Sequence, residues 1–233
     1  IYSGSPAFAD VVDAVEEGRA DFGLLPVENT TAGGINEVYD LLLRSKLSIV
    51  GEEVFQITHC LLAIEDVPLS NIRRVLSQWQ ALAQCTRFLS QLENCQREPV
   101  ADTAFAARRV KEDQDLSQAA IGGEDSAQYY GLKVLARNIS DQTDNFTRFL
   151  VVAASPVDVD PRIPSKTSII VATADEAGAL MKALVVLQRH GINMTKLESR
   201  PKSGSRFEYL FYIDFEGNCA EPRVKEALVE LRG

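Results

Sequence analysis

The chain has 233 residues, with 24 Lys+Arg against 33 Asp+Glu and a formal charge of −9, so it lacks the basic excess by which nucleic acids and anionic membranes are held. At 45% hydrophobic residues it can bury an ordinary core, which sets disorder aside, and its apolar runs fall far short of the roughly 20 residues of a membrane span. The length allows one large domain or two modest ones.

Ser5-Pro6 reads as an N-cap and first helical residue, with an apolar stripe at Phe8, Val11, Val12 and Val15 and closure at Gly18. Residues 22–26 form a short buried strand, Ile35, Val38, Tyr39, Leu42 and Leu43 the next helical stripe, and 47–50 the next strand. Strands are expected at 59–63 and 74–76, then a helix over 80–92 with Leu82, Cys85, Phe88 and Leu89 inward. Another helix covers about 103–112, followed by a strand at 119–122, a short helix ending at Gly131, and strands at 133–138 and 146–153. Such alternation with few hairpin signals favours an α/β fold with mostly parallel sheets, which bind ligands at the C-terminal strand ends.

Pro156, Pro161 and Pro164 mark 154–166 as a linker, because each Pro removes a backbone donor and holds its neighbour extended. The charge is divided there too. Residues 1–153 carry 22 acids and 13 bases, the linker 2 and 2, and residues 167–233 carry 9 and 9. The last part reads as a strand at 167–173, a helix with Leu180, Leu184 and Leu187, and a strand over 191–197. An alternating strand through Phe207, Tyr209, Phe211, Ile213 and Phe215 follows, and then a helix from Pro222 with Val224, Leu228 and Leu231 on one stripe. This β-α-β-β-α order stops one strand short of a ferredoxin-like unit.

Cys60, Cys85, Cys95 and Cys219 form no C-x-x-C pair, and neither His59 nor His190 stands at ligand spacing from them, so free thiols are expected, without a zinc site or a disulfide framework. No G-x-S-x-G is present to suggest a Ser hydrolase. The run Val27-Glu28-Asn29-Thr30-Thr31-Ala32-Gly33-Gly34 follows a strand and precedes a helix. It is either an anion site built on close backbone approach or a turn and helix cap. Arg148 could grip a substrate carboxylate or pair with an acid. Gln80 and Gln84 share a helical face. Gly178-Ala179-Leu180 sits at a helix start and Glu198-Ser199-Arg200-Pro201 at a strand end.

Taken in order, Val27-Glu28-Asn29-Thr30, His59-Cys60-Leu61-Leu62, Gln80 to Cys85, Asp102-Thr103-Ala104, Gly131-Leu132 and Asn145-Phe146-Thr147-Arg148-Phe149 resemble the prephenate dehydratase family. The likeness is particularly to the dehydratase and regulatory part of its bifunctional chorismate mutase members. The last part resembles an ACT domain. The resemblance implies two α/β lobes around a cleft, as in periplasmic binding proteins: residues 1–57 with 139–153, and 58–138. A ferredoxin-like ACT regulatory domain over 167–233 follows. It implies that prephenate loses water and carbon dioxide to give phenylpyruvate, with arogenate as the alternative substrate and a non-catalytic binding protein as the alternative class. Thr147 would face the leaving hydroxyl, with Glu28, Asn29 and Gln84 completing the catalytic set and Glu28 supplying a proton from a dry cleft. Thr30, Thr31, Gln80, Thr103 and Arg148 would bind substrate. L-phenylalanine would bind at Gly178, Ala179, Leu180, Asn193, Glu198, Ser199, Arg200 and Pro201, between copies of a cytoplasmic homodimer or tetramer. No metal or other cofactor is implied.

The sequence departs from the family pattern in places. Gln78-Trp79 replaces His-Pro, Asp102 stands where Ser is frequent, and Glu176-Ala177 precedes Gly178 in place of x-Pro. The family's opening strand with its Gly-Pro-x-Gly-Thr-Tyr-Ser loop and the last ACT strand are also missing from the pattern, so truncation at both ends is expected.

Overall fold

The structure, a computed structural model, describes residues 3–160, 162–173, 176–202 and 208–232. The chain divides into two compact units, Ile1–Pro156 and Val157–Gly233. The first runs α1 (Phe8–Glu16), β1 (Gly23–Asn29), β2 (Gly33–Gly34), α2 (Asn36–Arg44) and β3 (Ser48–Gln56). It continues with β4 (Cys60–Ala63), β5 (Arg74–Gln78), α3 (Trp79–Ala83), α4 (Thr86–Leu89), β6 (Gln96–Val100) and α5 (Thr103–Asp113). Then come β7 (Gln118–Gly122), α6 (Glu124–Tyr130), β8 (Lys133–Ala136) and β9 (Phe146–Ala153).

Helix α1 starts two residues later than Ser5-Pro6 suggests. Ala7 is its N-cap and supplies no side-chain acceptor; the Ala7 N–H instead donates to the Asp10 carboxylate at 3.1 Å, the half of a capping box that an acid in the first turn provides. Val12 and Val15 are its buried residues, and a Cβ at Gly23 of β1 would fall 2.9 Å from Val11 Cγ1. Close packing of helix on strand therefore demands glycine there.

The strands form two sheets, ordered β2-β1-β9-β3 and β6-β5-β7-β4-β8. Every pair in the first is antiparallel, and in the second only β5–β6 and β5–β7 are parallel. The expectation of mostly parallel sheets is corrected. Helical crossovers through α3–α4 and α5 do give parallel neighbours. Elsewhere the chain passes between sheets, and β9 returns to insert antiparallel between β1 and β3. The second sheet is buried on both faces: Leu61, Val75 and Ile121 pack with Leu82, Cys85 and Leu89, whereas Leu62, Leu76 and Ala120 pack with Ala106, Ala107 and Val110. This double burial explains why its strands read as unbroken apolar runs.

The single helix expected over 80–92 is two short ones. Gln84 is the C-cap of α3, and Asp141 accepts from the Thr86 and Arg87 N–H groups at the start of α4 at 3.1 and 3.0 Å. The Asp141 N–H donates to the Gln84 carbonyl at 2.7 Å, so the break clamps Gln84 in place.

The second unit runs β10 (Lys166–Ala172), α7 (Ala179–Arg189), β11 (Met194–Pro201), β12 (Tyr209–Glu216) and α8 (Pro222–Arg232). Its antiparallel sheet, ordered β10-β12-β11, carries a core of Val186, Leu187, Ile213, Phe215, Val224 and Ala227. That order is the one the first three strands of a split βαβ unit adopt. Of the expected alternating face, Ile213 and Phe215 are buried and Tyr209 is exposed, while Phe207 lies outside the described residues. Residues 198–201 belong to β11, paired with 209–212 of β12, so the strand expected over 191–197 runs on to Pro201.

Candidate active site

A cavity of about 970 Å³ lies between the two sheets of the first unit, within the ordinary range for small-molecule sites. Pro26 and Asn29 of β1, Phe55 of β3, and Thr147 and Phe149 of β9 form one wall. Gln80 and Ala81 of α3, Gln84, and Thr103 of α5 form the other, and His59 and Asn145 come from the segments that cross between the sheets. Among the described lining residues there is no Lys or Arg.

A bulge decides which side chains of β1 enter the cavity. Pro26 pairs with Phe149 and Glu28 with Arg148, so Val27 is the extra residue. A bulge reverses the alternation of a strand beyond it. Here it turns Asn29 to the cavity beside its partner Thr147, and Glu28 to the opposite face beside Arg148.

Four side chains then close a ring of hydrogen bonds. Asn29 Nδ2 donates to Asn145 Oδ1 at 2.7 Å, Asn145 Nδ2 to Gln84 Oε1 at 3.2 Å, Gln84 Nε2 to Thr31 Oγ1 at 2.6 Å, and Thr31 Oγ1 to Asn29 Oδ1 at 2.7 Å. The sense of the ring is fixed by backbone, because Asn29 Oδ1 also accepts the N–H groups of Thr31 and Ala32 at 3.0 and 2.9 Å. Asn29 is thus both the cap of its turn and part of the cavity wall. Its nitrogen also donates to Thr147 Oγ1 at 2.9 Å. With its oxygen engaged as an acceptor, Thr147 keeps its own proton available to donate.

Two expected members are placed elsewhere. Arg148 Nη2 lies 3.2 Å from Glu28 Oε2 and Arg148 Nη1 3.0 Å from Glu52 Oε2, with the Arg148 side chain 14% exposed. Glu28 is therefore an ion-pair partner facing away from the cavity, not a proton donor within it. Arg148 holds protein carboxylates in place of a substrate's, as alternation against Thr147 requires. Thr30 is also outside the lining: its hydroxyl donates to the Asp144 carbonyl at 2.8 Å and accepts the Phe146 N–H at 2.9 Å, tying β1 to β9. Of the other expected substrate contacts, Gln80 and Thr103 line the cavity and Thr31 touches it through Gln84.

The sequence profile of the prephenate dehydratase family matches residues 2–157. The chain belongs to the prephenate dehydratase family. It is 42% identical over 231 residues to the bifunctional chorismate mutase/prephenate dehydratase of Escherichia coli K12, covering 99% of this chain and 60% of that one. It is equally identical, over 239 residues, to arogenate dehydratase 2 of Petunia hybrida, covering 97% and 60%. The chain thus spans about three fifths of the length of the curated relatives it matches. Among solved structures, the prephenate dehydratase of Arthrobacter aurescens in complex with L-Phe superposes with a TM-score of 0.87 at 32% identity, covering 98% of this chain and 76% of that one. A structure described as GqqA, a novel type of quorum quenching acylase, also gives 0.87, at 35% identity and 97% and 82% coverage.

Within this family member, His59 and Asn145 are cavity residues that the sequence reading left without a role. His59 Nε2 is 2.9 Å from Gln84 Oε1; burial pushes its ring below the ordinary histidine range, against the opposing pull of the Gln84 hydrogen bond. The signal for both lay in the sequence, since each stands inside a quoted motif. Cys85, buried behind Gln84, has its thiol pushed up to about 12 by burial and by nearby Asp141, which rules it out as a thiolate nucleophile. No three His, Cys, Asp or Glu side chains converge as metal ligands among the described residues.

In the second unit, Gly178 is the N-cap of α7 at φ +82° and a Cβ there would meet nothing within 4 Å. Glycine is therefore required by backbone conformation, while open space is left beside it. Asn193 Nδ2 donates to Glu216 Oε2 at 3.2 Å, and Glu198 lies 3.1 Å from Lys196. Ala179 and Leu180 open α7, and Ser199, Arg200 and Pro201 close β11.

Proposed function

We propose that the first unit catalyses the decarboxylating dehydration of prephenate to phenylpyruvate, the step committed to phenylalanine, with its two sheets acting as lobes that close on substrate. The observation that carries this reading is the Asn29–Thr147 hydrogen bond, which leaves the Thr147 proton free to donate into a cavity with no Lys or Arg among its described lining residues. As the bond from the ring to its carboxylate breaks, carbon dioxide leaves and the electron pair enters the ring. The C–O bond to the ring hydroxyl then breaks, and the oxygen departs as water. Thr147 donates to that oxygen as its charge grows, the kind of interaction that stabilises a transition state selectively. A Thr hydroxyl is too weak an acid to ionise near neutrality, so the net proton comes from solvent water.

The absence of Lys and Arg among the described lining residues supports the same reading. A fixed cation would stabilise the ring carboxylate more than the transition state in which its charge has moved away. Gln80, Thr103 and the ring residues supply neutral donors in its place. Arogenate is the second reading: it carries an ammonium where prephenate carries a ketone, and Glu124 and Asp125 line the cavity edge.

We read the second unit as an ACT domain that binds L-phenylalanine between two copies of the chain, in a cytoplasmic homodimer or tetramer. The Arthrobacter aurescens relative with L-Phe supports this. Gly178 would let the ligand approach the backbone, with Asn193 and residues 198–201 beside it. The test is to give the protein prephenate, or arogenate, with and without L-phenylalanine, and to follow phenylpyruvate or phenylalanine. Product from neither substrate would sink the catalytic reading. Inhibition in the wild type that survives Gly178→Val would sink the assigned regulatory site.

A further inference from the structure

His59 is the most deeply buried ionisable residue on the described cavity wall, at 5% exposure. It stands between β3 and β4, and its carbonyl accepts the Ile139 N–H at 3.0 Å, so the two crossing segments are pinned to each other at this residue. Its ring reaches Gln84, and the ring of hydrogen bonds states which atom it meets. Gln84 Nε2 is committed to Thr31 and Gln84 Oε1 accepts from Asn145. The atom 2.9 Å from His59 Nε2 is therefore a carbonyl oxygen, which cannot donate. A neutral imidazole in this place must carry its proton on Nε2.

The contact matters because the terminal torsion of a glutamine is soft and nearly two-fold. Backbone holds Gln84 at both ends, through its N–H to the Gln80 carbonyl at 2.9 Å and its carbonyl from the Asp141 N–H at 2.7 Å. Neither bond chooses between the two faces of the carboxamide. Two donors do: Asn145 Nδ2 and His59 Nε2. A flipped carboxamide would set its NH₂ against both and would leave Thr31 Oγ1 facing an oxygen.

We propose that His59 is a positioning residue for the dehydration, holding the Gln84 carboxamide in the one orientation that closes the ring and so keeping the Asn29 donor on Thr147. This rests on the dehydratase reading. His59 acts through Gln84 and Asn145 and need not touch substrate. The burial that disfavours its charged form agrees with a neutral ring whose tautomer carries the information.

The test compares His59→Leu, which removes the donor, with His59→Gln, whose carboxamide can return an N–H to the same oxygen. Losing alignment of reacting groups costs up to about a hundredfold, so His59→Leu should lower kcat roughly tenfold to a hundredfold, KM should move less than about threefold, and His59→Gln should recover most of the rate. Nitrogen-15 NMR of the wild-type ring should show the Nε2–H tautomer. Full turnover in His59→Leu, a loss confined to KM, equal losses in both variants, or an Nδ1–H tautomer each overturns the proposal. If His59→Leu does not fold, the tautomer and the His59→Gln rate decide it. A wild type inactive on both prephenate and arogenate overturns the dehydratase reading and this proposal together; an active wild type beside an unaffected His59→Leu overturns this proposal alone.

Discussion

At Asn29 two duties meet in one carboxamide, and they can be separated because oxygen and nitrogen serve different partners. The oxygen accepts the Thr31 and Ala32 N–H groups, and the nitrogen donates to Asn145 and Thr147. Asn29→Asp keeps acceptors for the turn and removes the donors. Its thermal midpoint should stay near wild type while kcat falls by about two orders of magnitude, the scale seen when one preorganised donor is lost. Asn29→Ala should lose the rate and also about 1 kcal/mol or more of stability, since a turn cap has gone as well. Equal stability losses in the two variants would show that the nitrogen, not the oxygen, holds the turn. His59 makes a separate statement in pH. Its folded pKa lies below its ordinary value of 6.5 because burial penalises the charged ring, so the unfolded chain binds the proton more readily. Its contribution is complete above the unfolded value and is lost as pH falls through the folded one. Urea midpoints measured from pH 8 down to pH 5 should therefore decline more steeply in the wild type than in His59→Gln. Parallel declines would mean that the ring is hydrated.

Elements that carry their own periodicity were legible. The stripes of α1, α2, α7 and α8, the extent of α5 and the apolar runs of β4 and β7 sit close to where the sequence reading puts them. What periodicity could not show was direction and partnership. Strand β6, Gln-Arg-Glu-Pro-Val, has no apolar run because it is an edge strand, where charge and Pro are at home. Antiparallel insertion of β9 depends on a return from 133–136 to 146–153 that no local signal announces. The bulge at Val27 is equally silent in a single sequence, and it is what turns Glu28 out of the site, whereas Arg148 is turned out by its alternation with Thr147 along β9. Their relocation has a measurable consequence. Arg148 sits between Glu28 and Glu52 on β1 and β3 and reaches Tyr39 of α2 at 3.4 Å. It therefore joins elements of the first sheet instead of binding substrate. Removing one member of a buried pair costs about 3–5 kcal/mol, but the partners here are partly solvated, so Arg148→Met should cost roughly 1–3 kcal/mol in urea unfolding. The KM of the folded variant should change by less than about threefold, a small fraction of what losing a paired carboxylate ligand would cost. A tenfold rise in KM with unchanged stability would restore Arg148 as a substrate ligand.

At the scale of the molecule, the excess acidity lies wholly in residues 1–153, the part that holds the cavity, whereas the proposed substrate is a dianion. Local donors must therefore bind it against the general field, and no described lining cation offsets that field. Glu124 and Asp125 stand on the lining at the start of α6, and Glu124 is already paired with Arg137 at 2.7 Å. Asp125 is thus the acid whose removal best isolates the repulsion. A single charge about 10 Å from a dianion in water is worth about 0.8 kcal/mol before screening. The Debye length is about 30 Å at 10 mM salt and about 10 Å at 100 mM, which leaves roughly 0.6 and 0.3 kcal/mol of that repulsion. Asp125→Asn in the full-length protein should accordingly raise kcat/KM for prephenate about threefold at 10 mM salt and less than twofold at 100 mM. Arogenate adds an ammonium to the two carboxylates, so its net charge is lower and the gain should be smaller. If Asp125→Asn instead lowers kcat/KM for arogenate while raising it for prephenate, this acid is a contact to the ammonium and arogenate is the substrate the cavity is built to hold.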